Sequence, residues 1–248
     1  MKSKASSIKK RGIYLLPNLF TTAALFAGFY AVISAINGNF EVAAASIFVA
    51  QILDGMDGRV ARIMHAQSEF GAQYDSMADV ISFAVAPALV MYLWAFPDLG
   101  KLGLFAAFVH CAGGALRLAR FNTQIETDDK RFFQGLPSPP AAAILASFIW
   151  ISEAYGFGFN EGGFRVICLV LTIMTGLLMV SNFPYYSFKD IDIKDRVSFV
   201  VTIGMMLVVG IIMTEPAIML FLMALSYAVS GPIVAFIARR KRKVRKVT

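Results

Sequence analysis

The chain has 248 residues, of which 58% are hydrophobic and only 16% are charged. Soluble domains carry about 25% charged residues, so this composition excludes a soluble globule, and the high apolar content excludes a disordered chain. Cys111 and Cys168 both lie in apolar runs, which fits small core residues better than a disulfide framework. These limits leave a polytopic membrane protein with a formal net charge of +7.

The apolar runs predict the membrane-spanning helices. A helix needs about 20 mostly apolar residues to cross a bilayer, and eight stretches, separated by turn-forming residues, approach that length. In chain order the predicted spans are 15–36, 42–63, 71–95, 102–122, 138–155, 164–182, 197–213 and 216–238. We therefore predict an all-α, polytopic membrane helix bundle of about eight transmembrane helices. A bundle of six spans, which is also an even number, is the alternative.

The basic residues predict the orientation of these helices, because Lys and Arg concentrate at the cytoplasmic ends of spans. If both termini are cytoplasmic, 21 of the 23 Lys and Arg residues lie on that side. Only Lys101 and Arg165 then lie on the other side. The asymmetry favours an even number of spans with both termini in the cytoplasm.

Both ends of the chain are basic, over residues 1–14 and 239–248. Such runs are typical topology signals that also attract anionic membrane lipid. Residues 1–14 fit a short helix lying on the membrane surface. Nucleic-acid binding is the weaker interpretation, because no folded soluble module accompanies these charges. We therefore expect membrane lipid, and no nucleic acid, as a partner.

Ionisable residues cluster where the second predicted span ends and the third begins. Charged side chains inside a span are costly and indicate function by default. Helical spacing predicts one polar stripe on each of the two spans. The stripe of the second span contains Asp54, Asp57, Gly58, Ala61 and Arg62. The stripe of the third span contains Gly71, Asp75 and Asp79. The connection 63–70 is short, so the two helices should be antiparallel neighbours whose polar stripes face each other.

Four facing carboxylates repel one another unless cations compensate them, and Arg62 compensates at most one. Oxygen ligands without His or Cys favour Mg²⁺, Mn²⁺ or Ca²⁺ over zinc. Gly58 and Gly71 leave room for a ligand, and Arg62 is placed to meet a phosphate.

Helix packing alone would explain the glycines but not the acids. A cation transporter would explain the acids, although its site should lie near the bilayer midplane.

The pattern Asp57-Gly58-x2-Ala61-Arg62-x8-Gly71-x3-Asp75-x3-Asp79, preceded by Asp54, resembles the signature of the CDP-alcohol phosphatidyltransferases. The resemblance implies a membrane enzyme with a six-helix catalytic core and two divalent metal ions. Such an enzyme transfers a phosphatidyl group from a CDP-linked lipid to an alcohol and releases CMP. The implied organisation is a basic interfacial segment 1–14, a catalytic core 15–185, additional transmembrane helices 186–238 and a basic cytoplasmic tail 239–248.

The same resemblance implies roles for single residues. The metal ligands would be Asp54, Asp57, Asp75 and Asp79, with Mg²⁺ or Mn²⁺ as the ions and Ca²⁺ also compatible. Asp79 would in addition act as the general base. The residues around the cytidine and phosphates would be Gly58, Ala61, Arg62 and Gly71. Asn18, in Pro17-Asn18-x2-Thr21, would lie near the nucleotide, although the same triplet is also ordinary helix capping.

Further segments resemble bacterial and archaeal family members that use serine, and these are 66–71, 79–88, 115–122 and 135–140. The resemblance implies CDP-diacylglycerol and L-serine as substrates, a homodimer, and an active site at the cytoplasmic face of the inner (cytoplasmic) membrane. Glycerol phosphate and inositol phosphate are alternative acceptors, but they would need a denser basic pocket. Arg117 and Arg120 are either topology anchors or ligands of the serine carboxylate. We favour Arg120, which is nearer the cytoplasmic end.

Overall fold

A computed structural model describes residues 15–64, 66, 68–124, 132–156, 162–186, 203–204, 206–207, 210 and 213–244. The predicted interfacial segment 1–14 lies outside the described residues. So do most of the predicted span 197–213 and part of the basic tail 239–248. The count of eight spans therefore stays a prediction.

The described residues form an all-α bundle, as predicted. The helices are α1 (Leu15–Ile36), α2 (Phe40–Ile63), α3 (Glu69–Asp79), α4 (Ala86–Ala95), α5 (Gly100–Gln124), α6 (Ser138–Tyr155), α7 (Gly162–Val180) and α8 (Pro216–Val244). A π-helical segment, Val80–Val85, joins α3 to α4, so that the two form one continuous rod. A 3₁₀ turn, Pro97–Leu99, precedes α5.

Five of these helical rods are long and apolar enough to cross a membrane. They are Leu16–Ile36, Glu69–Ala95, Pro97–Thr123, Gly163–Val180 and Pro216–Ile237. This supports a multi-pass membrane protein. The helices α2 and α6 fall outside this set although both were predicted as spans. The acids and arginines near the end of α2 lower its hydropathy, and the prolines, serines and Glu153 of α6 lower that of α6.

Small residues let α1 and α2 pack closely. Ala27, Ala31 and Ala35 are spaced four residues apart on α1, and all three are buried. Ala43 and Ala44 are fully buried on α2. Small side chains at such a seam allow helix backbones to approach. The tight turn between the two helices brings the end of α2 back beside the start of α1, where the acidic motif lies.

Polar side chains tie the helices together at the end of the bundle away from the acidic motif. The indole and phenol groups donate to carboxylates in three pairs, Trp94 to Glu153 (2.7 Å), Trp150 to Glu41 (3.2 Å) and Tyr155 to Glu215 (2.8 Å). Trp and Tyr favour the membrane–water interface because their rings are amphipathic. Because Glu215 lies at this end, α8 begins here and runs back toward the motif.

The helices α5 and α7 are in close contact, which fixes the end of α5. A Cβ added to Gly113 would meet the Gly176 carbonyl, and one added to Gly176 would come within 2.6 Å of the Val109 carbonyl oxygen. Beside this contact, the Nδ1 of buried His110 lies 2.8 Å from the Thr175 hydroxyl. The final turns of α5 are therefore held in place next to the α3 rod.

Two short strands, which the sequence analysis did not predict, connect the ends of the helices. β1 (Phe132–Gln134) and β2 (Pro184–Tyr186) pair antiparallel, with Phe133 opposite Tyr185. Gly135 follows β1 with a φ of +78°, and a Cβ there would collide with the Met179 carbonyl. The turn therefore requires glycine, and the ribbon locks the start of α6 against the end of α7.

Candidate active site

Three carboxylates meet where the second half of α2 faces α3. Oxygens of Asp54, Asp57 and Asp75 all lie within 4.8 Å of one another, and Asp57 is only 6% exposed. We refer to these three residues as the acid cluster. It arises because α2 and α3 are joined by a short connection, so that the two acidic stripes face each other.

Asp79 lies one turn beyond Asp75, at the end of α3, and its carboxyl group lies against that of Asp54. One oxygen of Asp75 and one of Asp79 are buried without a hydrogen-bond partner among the described residues. Buried carboxylate oxygens without partners are costly, so they call for a cation or a proton. The donors are all hard oxygens without His or Cys, and this set fits a divalent cation such as Mg²⁺ or Mn²⁺.

The first helix contributes a hydroxyl to this site. Thr21 donates a hydrogen bond of 2.7 Å from its Oγ1 to Oδ2 of Asp57, and both residues are buried. The same hydroxyl lies 3.3 Å from the Pro17 carbonyl oxygen of its own helix. A hydroxyl held this way orients the carboxylate, as partners of metal ligands commonly do. The Pro17–Thr21 segment thus contributes more than helix capping.

The start of α3 approaches α1 closely, and a side chain at Gly71 would crowd this contact. Ser68 caps α3 by accepting a 3.0 Å hydrogen bond from the Gly71 backbone N–H. A Cβ on Gly71 would lie 3.0 Å from the Ser68 hydroxyl and 3.4 Å from Oδ1 of Asn18. The absence of a side chain at Gly71 therefore allows the first turn of α3 to lie beside Asn18.

A cavity of about 480 Å³ opens beside the acid cluster. Its lining includes all five residues that the family resemblance places around the nucleotide, Asn18, Gly58, Ala61, Arg62 and Gly71. Asp57 and Asp75 form part of the same wall. No atom lies within 4 Å of a Cβ added to Gly58, so this position faces open space. The arrangement can place a charged ligand between the carboxylates and the exposed guanidinium of Arg62.

Arg117 approaches the acids from the other side of the α3 rod. Its Nη1 donates a 3.2 Å hydrogen bond to the Ser138 hydroxyl at the start of α6. Its guanidinium lies close enough to the Asp79 carboxylate for the two charges to attract each other. Its Nε is buried and has no hydrogen-bond partner among the described residues. Arg117 therefore keeps a donor for a ligand beside Asp79.

The Arg120 side chain contacts residues that follow α7. Its Nη1 donates to Oδ1 of Asn182 at 3.1 Å and lies 3.5 Å from the Ser181 carbonyl oxygen. Both partners lie just after the end of α7. Arg120 therefore contacts this corner, whereas Arg117 adjoins Asp79. Which of the two binds a serine carboxylate stays a prediction.

Ser138 and Tyr227 join the site although the sequence analysis gave them no role. Ser138 lies within the segment 135–140, so its neighbourhood was noticed but its contact with Arg117 was not. Tyr227 lies far along the chain from the acidic motif, in an apolar helix without a local signal. Only the return of α8 toward the start of α6 brings Tyr227 into this region.

Comparison with known proteins places these residues in a wider context. The family model for CDP-alcohol phosphatidyltransferase matches residues 14–178. A Helicobacter pylori protein named CDP-diacylglycerol–serine O-phosphatidyltransferase is 37% identical over 196 residues, which cover 79% of this chain and 82% of that protein. Proteins of the same name are 31% identical over 174 residues in Bacillus subtilis (70% and 91% covered) and 28% identical over 232 residues in Mycobacterium leprae (92% and 76% covered). The family match includes the acid cluster and Arg117, whereas α8 lies beyond it.

Replacing Thr21 by Val removes the donor to Asp57 while conserving side-chain shape. We expect Mn²⁺ to bind the purified protein about tenfold more weakly, because the carboxylate loses the group that orients it. Electron paramagnetic resonance of free Mn²⁺ during titration measures this affinity. The control is Thr22→Val, since the Thr22 hydroxyl lies 2.9 Å from the Tyr74 hydroxyl rather than near an acid. Equal affinity in Thr21→Val and the unaltered protein would contradict the orienting role.

Proposed function

The chain belongs to the CDP-alcohol phosphatidyltransferase family, and from this membership we propose that it makes phosphatidylserine and CMP from CDP-diacylglycerol and L-serine. The observation that carries the choice of acceptor is the identity with serine-specific relatives over most of the chain, 37% over 79% for the H. pylori protein. Arg117 beside Asp79 supports it, because a single buried guanidinium suits one carboxylate better than a phosphate-bearing acceptor.

Two divalent cations, Mg²⁺ or Mn²⁺ with Ca²⁺ also compatible, are held by the acid cluster together with Asp79. The support for this is the unpartnered, buried oxygens of Asp75 and Asp79 and the close approach of three carboxylates. When bound, such ions neutralise the charge that develops on the pyrophosphate as CMP leaves. Thr21 keeps Asp57 oriented for this task.

The nucleotide end of the lipid substrate occupies the cavity beside the acid cluster. Arg62, which is exposed at the cavity, binds a phosphate oxygen. Gly58 and Ala61 leave space for the cytidine because their side chains are absent or small. Asn18 lies across from Gly71 and contacts the nucleotide from α1.

Asp79 accepts the proton of the attacking hydroxyl. A bond forms between the serine hydroxyl oxygen and the phosphorus of the phosphatidyl group, and the bond from that phosphorus to the CMP oxygen breaks. A carboxylate beside the hydroxyl can take its proton as the new bond forms. Asp79 suits this role because one of its oxygens has no partner within the described part of the chain.

Arg117 binds the carboxylate of serine and thereby brings the hydroxyl toward Asp79. A guanidinium can bind a carboxylate through two parallel hydrogen bonds. Ser138 holds one end of the guanidinium, which leaves the buried Nε as a donor. Arg120 supports the corner after α7 through Asn182 instead.

The site lies at the cytoplasmic face of the inner (cytoplasmic) membrane, where serine and nucleotide are available. The support is the charge asymmetry of the chain, since Lys101 and Arg165 lie at the bundle end opposite the acid cluster. The functional unit is a homodimer, an assignment that rests on the family resemblance alone. The surrounding lipid supplies CDP-diacylglycerol directly to the cavity.

Replacing Asp79 by Asn tests the catalytic assignment. We expect CMP release to fall by at least about 10²-fold, because the amide cannot accept the proton. Binding of CDP-diacylglycerol should be largely retained. CMP release followed by chromatography, together with lipid binding by calorimetry, measures both. Asp98→Asn is the matched control, since Asp98 forms an exposed ion pair with Arg165 at the far end. Undiminished turnover in Asp79→Asn would remove Asp79 as the base.

Replacing Arg117 by Lys tests the acceptor site, because Lys keeps the charge but loses the planar pair of donors. We expect the KM for serine to rise roughly 10- to 100-fold, with little change in the KM for CDP-diacylglycerol. Arg120→Lys should change the serine KM less. Equal changes for both substrates would exclude Arg117 as the carboxylate ligand.

A further inference from the structure

The start of α6 is rich in proline, and this limits how its neighbours can hold it. Pro137 precedes the first turn, and Pro139 and Pro140 lie within it. Proline has no backbone N–H, so this turn offers few donors to neighbouring helices. Polar contacts with the turn therefore depend largely on its carbonyl oxygens and on the buried hydroxyl of Ser138.

Two helices donate hydrogen bonds to this turn at consecutive residues. Nε2 of Gln51, on α2, donates a 3.1 Å hydrogen bond to the Pro139 carbonyl oxygen. Nη1 of Arg117, on α5, donates a 3.2 Å hydrogen bond to the Ser138 hydroxyl. The start of α6 therefore bridges α2 and α5.

Gln51 lies beside the acid cluster along the chain. It precedes Asp54 by three residues on α2, which is about one helical turn. A carbonyl oxygen can only accept, so the amide nitrogen of Gln51 is the atom that faces Pro139. A continuous set of contacts thus leads from α2, next to the acid cluster, through Pro139 and Ser138 to Arg117.

The orientation of Arg117 depends on where Ser138 lies, because the Ser138 hydroxyl accepts from its guanidinium. An arginine side chain has much rotamer freedom, and losing that freedom opposes binding. A guanidinium that is already oriented binds a carboxylate with less loss of entropy. Any contact that fixes the first turn of α6 therefore contributes to the affinity of Arg117 for a ligand.

We propose that Gln51 is a positioning residue for the acceptor. It holds the first turn of α6 so that Ser138 keeps Arg117 in the orientation that binds the acceptor carboxylate. This inference rests on the proposed function and gives α2 a second task besides supplying metal ligands. It predicts that loss of the Gln51 amide weakens the binding of serine, while the binding of metal and of CDP-diacylglycerol is unchanged.

Gln51→Met is the test variant, because it removes the amide and conserves the length of the side chain. We expect the KM for serine to rise about three- to tenfold. The KM for CDP-diacylglycerol and the affinity for Mn²⁺ should be unchanged. If Gln51→Met does not fold, Gln51→Asn carries the same prediction, because its amide is one methylene too short to keep the bond to Pro139.

The matched control is Glu41→Met, which makes the same replacement on the same helix. Glu41 accepts a 3.2 Å hydrogen bond from Nε1 of Trp150, so it also joins α2 to α6. This contact lies at the other end of both helices, far from Ser138. Glu41→Met should leave the serine KM unchanged. A rise in the serine KM equal to that of Gln51→Met would show a general effect of loosening α2 from α6 and would contradict the inference.

A double-mutant cycle shows whether Gln51 acts through the start of α6. Ser138→Ala removes the acceptor of Arg117, so Gln51→Met should then raise the serine KM little further. The inference is wrong if the two effects multiply, if the KM values of both substrates change equally, or if the serine KM of Gln51→Met is unchanged.

The unaltered protein separates this inference from the proposed function. CMP release with serine, together with an unchanged serine KM in Gln51→Met, would overturn only the inference. Failure of the unaltered protein to release CMP with serine would overturn the proposed function, and the inference with it.

Discussion

Repulsion among carboxylates inside an apolar bundle is the constraint on which the site depends. Asp54, Asp57 and Asp75 bring oxygens within 4.8 Å of one another, and Asp79 lies against Asp54. Such a group persists only if cations compensate its charge or some of its carboxyl groups take up protons. The nearby arginine on the cavity wall, Arg62, is exposed and compensates at most part of it. Divalent cations held between these carboxylates and the phosphates of a ligand account for the arrangement with the fewest assumptions.

The helices around this group give the two substrates separate approaches. On one side, the cavity between α1, α2 and α3 suits a nucleotide attached to a lipid. On the other, the ends of α5, α6 and α8 place Arg117 next to Asp79. A close contact through small residues, Gly113 with Gly176, holds α5 against α7. In the proposed function, the acid cluster thus lies between a site for the lipid and a site for a water-soluble acceptor.

Features set by local spacing could be predicted from the sequence, whereas features set by distant contacts could not. The two acidic stripes follow from helical periodicity, and their facing arrangement follows from a short connection. The contacts of Ser138 and Tyr227 depend on how α6 and α8 pack, and residue spacing carries no information on that. Position along α5 favours Arg120 as the carboxylate ligand, whereas the proposed function uses Arg117, which adjoins Asp79. Position along α5 gave no sign that Asn182 would bind Arg120.

The most direct measurement of the central claim is CMP release by the purified protein from CDP-diacylglycerol, with metal and acceptor varied independently. The account predicts release only when serine and Mg²⁺ or Mn²⁺ are both present, with phosphatidylserine formed in equal amount. Glycerol phosphate and inositol phosphate should give none. Release that persists in a chelator would contradict the role of the acid cluster. Release with glycerol phosphate or inositol phosphate, but not with serine, would contradict the assigned acceptor.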